Sequence, residues 1–188
     1  MGFARIRRAS IPWPLTADEG KMTISTSAIQ ARHALGRAQA GDYIDWAVDA
    51  LALGSDSPNL RILAGLDRFI SPFEAEEHFK KARKELGLSA PGRQQAILDY
   101  AISLAETILE PGSDYQTIVS KLAELCHSNE YPDFLMEWYS VEDGLADIRA
   151  GCYPYGYEAL YQADPRKIVT NIAQAFIVER KQRTDRSR

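Results

Sequence analysis

Between Asp42 and Leu66 the apolar residues form two runs with helical spacing, separated by one polar break. Tyr43, Trp46, Ala47, Ala50, Leu51 and Leu53 recur mostly at intervals of three and four, which predicts a helix capped by Asp42. Its apolar stripe must face other helices. Gly54, Ser55 and Asp56 interrupt the stripe, and Ser57-Pro58 restarts it. The serine supplies a capping hydroxyl, and the proline's missing N–H costs nothing at the first helical position. A second helix is therefore predicted from Pro58, with Leu60, Ile62, Leu63 and Ala64 on its buried side and Gly65 near its end.

The same start signal returns at Ser71-Pro72, where Glu74 completes a capping-box spacing. It predicts a helix to Leu86 with Phe73, Ala75, Phe79, Ala82 and Leu86 inward and Gly87 as its stop. Asp164-Pro165 opens another, carried by Ile168, Val169, Ile172, Ala173, Phe176 and Ile177. Further helices are predicted over residues 27–39, 93–109 and, behind the Asp114 cap, to about His127. Two short ones are expected near Asp133–Tyr139 and Val141–Ala150, followed by an irregular GCYPYGYEALY stretch rich in helix breakers. The fold class is all-α: a single-domain helical bundle or irregular helical stack of about seven or eight helices. At 188 residues and 45% hydrophobic content, one core of ordinary size suffices. Residues 1–21, ahead of a Met22 that looks like an ordinary start, are expected to form a flexible extension. Residues 22–180 are expected to form the domain, and residues 181–188 a basic tail.

The SPNLRILAGL run, with the Gly-Ser-Asp turn before it, resembles a segment of small, functionally unassigned bacterial all-helical proteins. The resemblance spans roughly residues 42–88. It implies a helical bacterial domain and carries no catalytic residue with it.

Several function classes lose support. No uninterrupted apolar run is long enough to cross a bilayer, and the first residues lack the apolar segment of a secretory signal. Cys126 and Cys152 lie far apart with no Cys/His cluster, as expected of reduced thiols in a cytoplasmic protein. The net charge of −4 conceals an acidic body: residues 1–24 carry +2 and residues 179–188 carry +3, which leaves −9 for residues 25–178. Nucleic-acid binding is therefore not expected, because phosphate contacts dominate such affinity. Phosphate loops, nucleophile elbows and metalloprotease motifs are absent, so neither an enzyme nor a cofactor is indicated. Glu74, Glu77 and His78 come nearest to a metal group, but the spacing departs from the di-iron pattern and has no second copy.

One interval departs from the rest. Ser128 to Asp164 holds eight aromatic residues and eight acids against the single base Arg149, a local charge of −7. Two readings compete: the aromatics close a core where helices are short, or they form a contact surface. Tyrosine offers large contact area at low entropy cost, and carboxylates steer a basic partner. The candidate binding residues are Trp138, Tyr139, Glu142, Asp143, Asp147, Tyr153, Tyr155 and Tyr157. They suggest a protein-binding module of the immunity or antitoxin type, with a basic protein as partner. Two alternatives remain open: a small helical enzyme or ligand-binding protein with an acidic pocket, and a subunit of a homo-oligomer. Acids converging in a cavity would favour the first, and an apolar stripe left exposed the second.

Overall fold

A computed structural model describes the backbone of residues 24–186 and the side chains of residues 24–182. Among these residues the fold is all-helical: α1 (Thr26–Ala34), α2 (Ala40–Ala52), α3 (Pro58–Ala64), α4 (Pro72–Glu85), α5 (Arg93–Ile108), α6 (Tyr115–His127), a 3₁₀ turn (Asp133–Leu135), α7 (Met136–Arg149), α8 (Glu158–Gln162) and α9 (Pro165–Arg186). The extension expected over residues 1–21 lies outside the described residues. No described helix is long and apolar enough to cross a membrane.

The capping chemistry explains most boundaries. The Ser57 hydroxyl accepts from Leu60 N–H and starts α3, and Asp114 likewise accepts from Thr117 N–H at α6. The first helix stops earlier than its alanine-rich run suggests. Gly36 adopts φ +65, and Arg37 N–H closes back on the Arg32 carbonyl at 2.8 Å, a left-handed stop that favours glycine. Asp42 is not the cap of α2. It sits one turn inside, accepting from Gln39 N–H in a capping box. At Ser71 the hydroxyl makes no capping bond.

Two apolar clusters form the interior. In the first, α2, α3 and α4 meet part of α1 around Phe79, whose ring lies 4.8 Å from Tyr43, 5.0 Å from His33 and 5.2 Å from Trp46. Aromatic pairs at such spacing contribute about 1 kcal/mol beyond area burial. Trp46 keeps its polar edge satisfied by donating from Nε1 to Thr26 Oγ1 at 3.1 Å. The second cluster joins α5, α6, α7, α8 and α9, with Trp138 packed edge-on against Phe176 at 5.7 Å. Helix α1 serves both, since Ile29 belongs to the first cluster and Ala31 to the second, where α1 packs on α5. Arg166, at the start of α9, donates to the carbonyls of Ser113 and Glu110 and fastens α9 to the α5–α6 connection.

Several expectations are corrected: Leu53 and Ile62, read as parts of the inward sides of the two helices of the central stretch, are exposed. Phe73 is 80% exposed, because the buried stripe of α4 runs Ala75, Phe79, Ala82 and Phe73 lies two residues out of phase with it. The two short helices expected around residues 133–150 are one continuous α7 behind a 3₁₀ entry. Ser140 does not break it, since its hydroxyl folds back onto the Met136 carbonyl at 3.2 Å. The basic segment from Lys181 continues α9 to Arg186.

Candidate functional site

Helix α7 and the loop after it build the surface toward which the acidic, aromatic interval pointed. Gly151 (φ +74) ends α7, and Cys152 N–H returns to the Asp147 carbonyl at 2.8 Å. The chain then alternates: Tyr153 and Tyr155 point outward, whereas Pro154 is buried and Tyr157 half-buried. Gly156 (φ +86) turns it into α8, where Leu160 is buried in the second cluster. This loop rests on α7 at Gly144. A Cβ there would lie 3.0 Å from Leu160 Cδ1 and 3.1 Å from Tyr157 Cβ, so the absence of a side chain permits the close seat.

The outward rings of Tyr155 and Tyr161 each meet Tyr153 edge-on. Tyr153 meets Tyr155 at 5.2 Å and Tyr161 at 5.5 Å between centroids, with steep interplanar angles of 72° and 61°. Tyr155 is 86% exposed. Tyr161 falls outside the alternation Tyr153, Tyr155, Tyr157 by which sequence marks the candidate set. In fact α8 brings it beside Tyr153.

The predicted residues divide. Asp143 and Asp147, four apart on α7, lie along one side of the helix that precedes the loop, Asp143 exposed and Asp147 half-buried. Tyr157 acts as a strut; burial, reinforced by Glu137, pushes its hydroxyl above the usual tyrosine range. Glu158 at the start of α8 is held below the usual carboxylate range by its own backbone N–H and that of Gly156, and stays ionised.

Trp138, Tyr139 and Glu142 lie elsewhere. Trp138 is fully buried and leaves the candidate surface, because its position on α7 turns it toward α9. Glu142, two residues before Gly144, faces α6, where it accepts from Ser120 at 3.0 Å and pairs with Arg149 at 2.7 Å. Tyr139 joins a separate group, His127–Tyr131–Tyr139, with edge-on centroid spacings of 5.4 and 5.5 Å. Glu130 and Tyr131 there hold positive φ without being glycine, a strained turn no sequence signal marked.

A cleft of about 340 Å³ is lined by Gln94, Gln95, Leu98, Phe134 and Arg180, with no acid among them. No group of His, Cys, Asp and Glu able to hold a metal occurs among the described residues. His78, from the sequence's nearest metal spacing, meets Asn59 Oδ1 through Nδ1 at 3.0 Å. Cys126 is buried and Cys152 exposed, both unpaired. The chain matches no protein-family model, and no curated protein or solved structure matches it either.

Proposed function

We propose that this protein is a bacterial, cytoplasmic binding module of the small all-helical kind that residues 42–88 resemble. Its α7–α8 face docks a basic protein partner, in the manner of an immunity or antitoxin-like protein. The observation that carries the reading is the exposed group in which Tyr155 and Tyr161 meet Tyr153 edge-on, on the loop and α8 seated on α7 at Gly144. Rings already ordered by contact with each other lose little freedom on docking, and tyrosine is enriched among residues that dominate interface energy. Asp143 and Asp147 on the preceding helix, in a stretch of net charge −7, steer a basic surface and repel an acidic one. The free thiols fit a reducing compartment. The lining of the cleft offers no acid, so the acidic-pocket alternative gains nothing from it.

The test is capture from native-cell lysate with wild type and a Tyr153→Ala, Tyr155→Ala, Tyr161→Ala variant whose urea midpoint matches wild type. A stoichiometric basic protein, lost in the variant and weakened by salt, is expected. Retention of that protein by the variant excludes this face.

A second reading has its own observation. Phe69 is 96% exposed and Phe73 80%, on either side of the start of α4. Large solvent-facing aromatics favour self-association through the α3–α4 elbow. Sedimentation should then show a dimer that Phe69→Ser, Phe73→Ser dissociates; a monomer at all concentrations rejects it.

A further inference from the structure

Resting on the docking face proposed above, we infer that the Tyr153–Tyr155–Tyr161 cluster is a seat for a cationic side chain, arginine foremost, presented by the basic partner. Two rings meet the central Tyr153 at 72° and 61°, so the exposed trio presents several differently inclined π faces at one place. Such faces attract a guanidinium or ammonium group.

Elsewhere the protein matches its rings with its own arginines. Arg37 stands 5.7 Å from the centroid of Tyr100, Arg166 5.6 Å from that of Tyr115 and Arg83 6.0 Å from that of Phe79. Over Tyr153, Tyr155 and Tyr161 no Lys or Arg stands among the described residues. Arg149, the sole base between Ser128 and Asp164, is held by Glu142 on the side of α7 facing α6. The trio therefore combines aromatic rings, in a stretch of net charge −7, with no internal cation over them among the described residues. An arginine fits this combination better than a lysine. Its plane stacks on a ring while its N–H groups remain directed at carboxylates such as Asp143 and Asp147.

The experiment titrates the full chain, carrying ¹³C-labelled tyrosine rings, with a hexa-arginine peptide and a hexa-citrulline peptide of the same shape without charge. Saturable shifts of the Tyr153, Tyr155 and Tyr161 ring signals are expected with arginine and not with citrulline. Tyr155→Leu keeps apolar area but removes a π face, and should weaken the arginine peptide about fivefold. Equal shifts with citrulline, shifts confined to Tyr131 and Tyr139, or unchanged affinity in Tyr155→Leu overturn the inference. A basic partner lost with Tyr155→Ala but kept with Tyr155→Leu leaves the docking face standing and removes the cation seat. Arginine seated at the trio with no cellular partner captured leaves the seat and removes the docking reading.

Discussion

Replacing Gly144 by alanine perturbs the contact that holds the tyrosine loop. The new Cβ would meet Leu160 Cδ1 at 3.0 Å and Tyr157 Cβ at 3.1 Å, well inside the roughly 3.5–4.0 Å optimum for carbon pairs. Neither neighbour yields cheaply, since Leu160 is buried in the second cluster and Tyr157 Cβ is fixed to the backbone. Overpacking of this kind costs about 1–3 kcal/mol. Alanine recovers about 1 kcal/mol of helix propensity, so the net change is about 0–2 kcal/mol destabilising. Gly41→Ala is the control. In the first turn of α2 its Cβ meets only Arg68 Nη1, at an ordinary 3.7 Å, and the same propensity gain of up to about 1 kcal/mol is unopposed. Urea unfolding with unchanged m-values should separate the two variants by about 1–3 kcal/mol. Ring signals of Tyr153, Tyr155 and Tyr161 should move only in Gly144→Ala. If Gly144→Ala stabilises as much as Gly41→Ala and leaves those rings unmoved, the loop is not seated on α7 as described.

Further outcomes follow from individual contacts. Ser57→Ala removes the acceptor of Leu60 N–H and should cost about 1 kcal/mol in urea unfolding. Trp138→Ala should cost about 3–5 kcal/mol, while Tyr155→Ala should stay within about 0.5 kcal/mol, a contrast that separates core from surface aromatics of one interval. His33 supplies a pH dependence. Burial, with Arg83 and Lys80 assisting and Glu76 opposing, lowers its pKa below the unfolded value of 6.5. The unfolded chain then binds more protons as pH falls from 6.5 through the folded pKa, so the contribution present above 6.5 is lost over that window. Stability measured between about pH 7 and pH 5 should fall, and His33→Gln should flatten the slope. An identical slope in that variant contradicts the assignment.

The helical framework was legible because local signals and burial agree over most of it. Ser57-Pro58 and Asp114 act as read, and the 75–79–82 stripe of α4 packs inward. Failures came where local signals compete. Gly36 was tolerable inside an alanine-rich run, and only the left-handed turn at that position reveals a stop. Phe73 was counted by hydrophobicity though it is out of phase with its own helix. Within the candidate surface, Tyr153 and Tyr155 come together on the loop that follows α7, the helix carrying Asp143 and Asp147. Trp138 and Glu142 do not, since their placement depends on which sides of α7 meet α6 and α9, a tertiary matter that spacing alone leaves open. Tyr161 required α8, and α8 depends on the Gly144 seat, a contact between segments more than ten residues apart.

The docking face is tested most directly by placing a photo-crosslinking phenylalanine analogue at position 155 in the native cell, with position 62 on α3 as the off-face control. The account predicts an adduct with a basic protein at position 155, absent at 62 and lost when Asp143→Asn and Asp147→Asn are added. No adduct at 155, or one that the two substitutions leave unchanged, would contradict an acidic tyrosine surface as the place where this protein works.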